Sequence, residues 1–279
     1  MGDIVSRLEA LATVQETPCG EGVMVWRTWG EQSGQQPPVV LFHGGSGSWT
    51  HWVRNIGPLV AAGRQVIAPD LPGFGESALP PVGGDADALV SPLAEGLLAL
   101  LGGVPCDLVG FSFGGMTAGM LLAEHPALAR RLVPVGAPAM GVTPDRQFEL
   151  RAWRHLPPAE QENVHRFNLA ALMLRDTALI DGLALELHIA NLKRDRMPRR
   201  RLAHTDILAR SLARVRCPVH AIYGAHDALY KSWISQLEAA YQTAAPDFRG
   251  LTLIPDSGHW VQFERPDAFD DALLAALAA

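Results

Sequence analysis

The chain has 279 residues, 48% of them hydrophobic, and a formal net charge of −6; this supports a large core and excludes both extended disorder and the basic face of a general nucleic-acid binder. Three cysteines, Cys19, Cys106 and Cys217, are too few and too widely spaced for a disulfide scaffold or a metal cluster. No stretch reaches the roughly 20 apolar residues of a membrane helix, and the N-terminus shows no basic segment followed by an apolar one, so a soluble, cytoplasmic protein is expected.

Residues 1 to 20 carry weak helical spacing at Ile4, Leu8 and Leu11, then a Pro-Cys-Gly turn. Gly22 to Trp29 alternates as an outer strand does. A Gly/Gln/Pro linker from Gly30 to Pro38 precedes Val39-Val40-Leu41-Phe42, a continuous apolar run of the kind a parallel strand covered on both faces produces. The loop after it, His43-Gly44-Gly45-Ser46-Gly47-Ser48, can turn backbone N–H groups inward. It lacks the Lys-Ser/Thr ending of a phosphate-binding loop. Gln65 to Ala68 is the next strand, and in the turn-rich segment behind it Asp70, Gly73 and Ser77 are expected to build a rigid loop through side-chain to backbone hydrogen bonds.

Leu89 to Leu101 reads as an amphipathic helix. The apolar run Cys106 to Val109 then enters Gly110-Phe111-Ser112-Phe113-Gly114-Gly115, followed by a helix expected over Met116 to His125. A small-x-Ser-x-small turn between strand and helix leaves the serine hydroxyl exposed at the strand end, and the helix N-terminus favours negative charge beside it. Leu132 to Gly136 is another strand, and strands alternating with helices imply crossover units in a mainly parallel sheet. From about Met140 to Leu212 the pattern is helical only, which predicts a helical cap inserted over the sheet, with residues 1–139 and 213–279 as the core. Residues 146 to 201 hold eleven Lys/Arg and seven Asp/Glu, and six of the basic residues fall between Lys193 and Arg201. Such a run is most often a solvated helical face; the other reading is that a cleft beneath the insertion draws an anionic substrate.

The sheet pattern resumes at Val219 to Tyr223, ahead of Gly224-Ala225-His226-Asp227. It appears again at Leu251 to Ile254, ahead of Pro255-Asp256-Ser257-Gly258-His259-Trp260, and Pro266 to Ala279 closes the chain as a helix. Ser112, Asp227 and His259 each follow a strand, at the sheet edge where open α/β folds bind ligands. A serine hydroxyl needs a base within reach and a third group to orient that base. Asp227 has the alternative task of capping the helix that begins near Tyr230, and His43, His51 and His226 are expected to be structural or rim residues.

With serine, aspartate and histidine in that order, the chain resembles the α/β-hydrolase family over residues 22 to 137 and 213 to 279. The resemblance implies an α/β-hydrolase fold with a helical cap and a Ser112-His259-Asp227 triad. It also implies an oxyanion hole from the Gly45 and Phe113 amides, no cofactor and a small-molecule substrate. Serine at the nucleophile position separates the chain from relatives that use a carboxylate there. The segment Gly258 to Glu264 is similar to the histidine segment of meta-cleavage-product C–C hydrolases, but Phe111 stands where that subgroup usually has Asn. The first expectation is therefore a carboxylic ester or lactone, with Phe111 and Trp260 against the substrate. C–C hydrolysis comes second, and a ligand receptor with little turnover is the reading from another class.

Overall fold

The computed structural model describes residues 3–32, 36–143, 145–180 and 182–278, so residues 33–35 of the expected linker and the last residue of the expected C-terminal helix lie outside it. The strands are β1 (Thr13–Cys19), β2 (Gly22–Trp29), β3 (Val39–Phe42), β4 (Val66–Pro69), β5 (Cys106–Phe111), β6 (Ala129–Val135), β7 (Val219–Gly224) and β8 (Phe248–Ile254). Among the described residues they form one sheet in the order β1-β2-β4-β3-β5-β6-β7-β8. Pairing is antiparallel for β1 with β2 and β2 with β4, and parallel from β4 to β8.

The helices are α1 (Asp3–Leu11), α2 (Ile56–Ala61), α3 (Val90–Leu101), α4 (Phe113–Glu124), α5 (Pro158–Asn168), α6 (Gly182–Lys193), α7 (Ile207–Leu212), α8 (Leu237–Ala244), α9 (Val261–Glu264) and α10 (Pro266–Ala278). Successive strand side chains point to opposite faces. Val40 and Phe42 accordingly join the core with Trp26, Leu93 and Met116, while Val39 and Leu41 join the one with Trp52, Leu59 and Phe269. Burial on both faces is why the central strands are continuous apolar runs.

Two expectations need correcting. Thr13 to Cys19 is a strand, not part of a helix-and-turn leader; five of its seven side chains are exposed, so backbone pairing with β2 defines it and no apolar alternation betrays it. The helix after the serine starts at Phe113, directly behind Ser112, with no intervening turn. Between β6 and β7 the described chain is helical or irregular, with a π-helical turn at Leu169–Met173. The last helix of that stretch, α7, packs on α4, and Leu208 sits against Gly119.

The Asp70 loop is rigid, as expected, and reaches beyond itself. The Asp70 carboxylate accepts from Trp49 N and Glu76 N, Ser77 Oγ donates to Asp70 O, and Val25 N donates to Ser77 Oγ. At the other end of the sheet Asp107, fully buried inside an apparently apolar strand, is bracketed by Arg64 and Arg130.

Asp270 on α10 is a buried carboxyl whose partner is the Asn55 amide, with Nδ2 donating to Oδ1 at 2.8 Å. Desolvation, reinforced by Asp267 and Asp271, outweighs that bond and pushes its pKa up to about 7. The folded state then binds a proton more tightly than the unfolded chain. This contribution to stability is full below pH 4 and is lost as pH rises through about 7. Asp270→Asn keeps the acceptor and removes the ionisation, so Tm of the variant relative to wild type should rise steadily from pH 5 to pH 8. A difference independent of pH would contradict this assignment.

Candidate active site

Parallel strands deliver their C-terminal ends to one edge, where the loops after β3, β5, β7 and β8 meet. Ser112 sits between β5 and α4 with φ +51°, a conformation non-glycine residues rarely adopt. It is held there because Ser112 N donates to Val135 O, and Gly115 N and Met116 N donate to Ser112 O. The flanking glycines are obligatory. A Cβ on Gly110 would stand 2.5 Å from Gly114 O, and one on Gly114 would strike the backbone carbonyls of Phe42 and His43.

The turn presents Ser112 Oγ 2.9 Å from His259 Nε2. On its other side the ring meets Asp227, with Nδ1 at 2.9 Å from Oδ2 and 3.0 Å from Oδ1. An ionised carboxylate only accepts, so Nδ1 carries the proton and Nε2 is left bare toward the serine. Asp227 is fully buried and His259 is 2% exposed. Asp227 Oδ1 also accepts from Leu229 N two residues on, but the 3₁₀ helix that follows, Lys231–Gln236, has Tyr230 as its N-cap and no side-chain cap bond, so the expectation that Asp227 caps it is corrected. Gly136, at φ +53°, leaves room for the pair; a Cβ there would be 3.2 Å from both Asp227 Oδ2 and His259 Nδ1. Such a relay can take a proton from a serine hydroxyl and return it to a leaving group.

The Gly44–Gly45 loop lies beside the serine turn, and Phe113 opens α4, where the first amides have no intrahelical partner. His43 and His51 are structural, as expected. His43 Nδ1 donates to Gly44 O and its Nε2 accepts from Leu71 N, while His51 Nδ1 accepts from Gly44 N at 3.1 Å. Both roles require neutral rings. Burial supplies that condition, lowering the pKa of His43 and holding that of His51 well below the ordinary imidazole range.

A cavity of about 850 Å³ opens over Ser112 and His259. Its wall includes Met140, Phe148, Leu172, Met173, Leu229 and Tyr230, and the Tyr230 hydroxyl is turned away to Ala137 O. Phe111 lines the cavity, with its ring 5.0 Å from that of His259. Trp260, expected there too, lies outside the lining. The chain turns into α9 immediately after His259 and carries the indole inward, where it stacks on Phe263 at 4.2 Å and donates to His51 O. Half of the basic run is engaged in structure. Arg194 pairs with Glu76, Arg196 donates to the carbonyls of Phe74, Gly75 and Ser77, and Arg200 pairs with Asp195. The cavity wall carries Arg146 and Arg200 and also Asp145 and Asp206, so the formal charges of these four side chains cancel.

Glu264 was not foreseen. Buried, it accepts from Gly258 N in the histidine loop and from Arg175 N and Asp176 N in the inserted stretch, while Trp260 N donates to Met173 O. The sequence shows Glu264 six residues from Gly258 but gives no sign of its distant amide partners. No group of three or more potential metal ligands occurs among the described residues, and none of their helices is long and apolar enough to cross a membrane.

Residues 39–272 match the family described as "Alpha/beta hydrolase family". The chain is 27% identical over 280 aligned residues to a 2-hydroxy-6-oxo-6-phenylhexa-2,4-dienoate hydrolase of Burkholderia cepacia, covering 92% of this chain and 93% of that protein. Among solved structures it is similar to an esterase from Rhodococcus, with a TM-score of 0.75, 22% identity and coverage of 95% and 98%. It is also similar to a meta-cleavage product hydrolase from Pseudomonas fluorescens, with a TM-score of 0.74, 20% identity and coverage of 95% and 97%.

Proposed function

The chain belongs to the alpha/beta hydrolase family, and from that premise we propose that it cleaves small carboxylic esters or lactones through Ser112, His259 and Asp227. The observation that carries this reading is the continuous Asp227–His259–Ser112 relay at hydrogen-bond distances, open to a cavity on the serine side. As Ser112 Oγ attacks the carbonyl carbon, its proton passes to His259 Nε2 and Asp227 stabilises the imidazolium. The oxyanion that forms is received by the N–H groups of Gly45 and Phe113, each such donor typically being worth about 3 to 4 kcal/mol in the transition state. The C–O bond then breaks, and the alkoxide leaves with the proton held on Nε2. Water gives a proton to the same nitrogen, attacks the acyl-serine and releases the acid, while Ser112 recovers its proton. Residues 140–212 act as a cap that closes the substrate chamber. The three buried, unpaired thiols fit a reducing, cytoplasmic setting.

The apolar part of the cavity wall, with Phe111, Met140, Phe148, Leu172 and Met173, favours aryl or medium-chain esters. An anionic group on the substrate would have Arg146 as its partner, Arg200 being held by Asp195 and Ser46, so the test panel includes one carboxylate-bearing ester. Steady multiple turnover of p-nitrophenyl esters is the expected result; stoichiometric binding without turnover would favour the receptor reading.

C–C hydrolysis of vinylogous diketo acids is the second reading, favoured by the name of the Burkholderia relative. Phe111 argues against it. An apolar ring beside the base cannot bond a buried substrate oxygen, and leaving one unpaired costs about 1 to 3 kcal/mol. The wild type should therefore have a higher kcat/KM for aryl esters than for a diketo acid, and Phe111→Asn should narrow the gap. A diketo-acid kcat/KM above that of every ester tested would reverse the ranking.

A further inference from the structure

Ser46 follows Gly45 in the loop after β3 and has φ +52°, although it is not glycine. Backbone in that region persists when its surroundings hold it. Here the hold comes from the helical insertion. Ser46 Oγ donates to Asp195 Oδ2 at 2.5 Å and accepts from Arg200 Nη2 at 2.9 Å. Arg200 Nη1 in turn donates to both Asp195 oxygens, at 2.8 and 2.9 Å, and to Met197 O, while Met197 N donates to Asp195 Oδ1. The guanidinium lies over the rings of Phe74 and Phe113, at 5.2 and 5.8 Å from their centroids. Burial works against the Asp195 charge, but the bonds from Arg200, Ser46 and Met197 outweigh it and hold its pKa below the usual carboxylate range. Further along the same loop, Asn191 of α6 binds the hydroxyls of Ser48 and Thr50.

The insertion thus grips the loop at Ser46, next to the residue whose amide is assigned to the oxyanion. We infer that Asp195 is a positioning residue: through the Ser46 hydroxyl it holds Gly45 N–H aimed at the place the oxyanion will occupy. This rests on the reading of Gly45 as an oxyanion donor. An amide aimed at the tetrahedral state contributes little to ground-state binding, so its misalignment lowers kcat and leaves KM nearly unchanged.

The test uses the full-length protein, a p-nitrophenyl ester as substrate and a phenylboronic acid as a tetrahedral mimic of the oxyanion. Ser46→Ala and Asp195→Ala are each compared with wild type and with the double variant. Ser46→Ala leaves the Asp195–Arg200 pair in place, so it remains informative if Asp195→Ala fails to fold. Each substitution should lower kcat about tenfold to a hundredfold, a part of the loss seen when a whole donor is removed. KM should stay within about threefold, boronate inhibition should weaken by the same factor as kcat, and the double variant should be no worse than Asp195→Ala. A folded Ser46→Ala protein with wild-type kcat and boronate affinity would overturn the inference, as would a loss confined to KM or losses that add in the double variant. Wild-type turnover and boronate inhibition report on the hydrolase reading by itself, and the ratio of variant to wild type reports on Asp195. Absence of both in the wild type would bring down that reading and this inference together.

Discussion

Ser112→Ala is expected to lower kcat/KM for an aryl ester by at least about 10⁴-fold, because the relay loses the atom that forms the new bond. The fold should survive. The turn is fixed by the close approach of Gly110 and Gly114 and by backbone bonds to the Ser112 carbonyl and amide, none of which uses the hydroxyl. Circular dichroism and Tm should therefore match the wild type. His259→Ala should cost nearly as much, and the two losses should not add, since members of such a unit fail together. A Ser112→Ala protein that turned over esters at an appreciable fraction of the wild-type rate would remove the nucleophile assignment.

Asp227→Asn should be the second largest effect, on the order of 10³ to 10⁴ in kcat, with little change in structure. The amide can still accept from Leu229 N through its oxygen, preserving the turn after β7. It can also present N–H where the carboxylate accepted. That drives the His259 proton to Nε2, and a ring protonated there cannot take the proton of Ser112. The side chain is fully buried, so solvent cannot readily substitute for the lost charge. Rates measured across pH with Tm followed in parallel check this. A loss below about tenfold would reduce Asp227 to the cap of its own turn.

The parts of this arrangement legible in the sequence share a physical origin. Val39 to Phe42 is apolar throughout, and Val219 to Tyr223 is interrupted only by His220, because helices cover both faces of the sheet. Once they read as parallel strands, the polar residues just beyond their ends fall on one edge. Ser112 carries the further mark of Gly110 and Gly114, which close backbone packing demands. β1 escaped because only Thr17 and Cys19 of its seven residues are buried. Trp260 was misplaced because sequence adjacency to His259 says nothing of which way the chain turns next. The clamps on the site were illegible for another reason: Ser46 and Asp195 are 149 residues apart, and Glu264 meets amides 88 and 89 residues away. The run from Lys193 to Arg201 reads as a field of positive charge, yet Arg194, Arg196 and Arg200 are tied to the loops beneath them through Glu76, the Ser77 carbonyl and the Ser46 hydroxyl. Charge counts report what a segment carries and not what it has already spent on folding.

The most direct test of the account is stoichiometric labelling with an aryl phosphonofluoridate, whose phosphorus is attacked by an activated serine with loss of fluoride. One equivalent should abolish ester turnover in proportion to incorporation, with peptide mass spectrometry placing the adduct on Ser112 and no label entering Ser112→Ala. Turnover that persists after full labelling, or an adduct on a different residue, would contradict it.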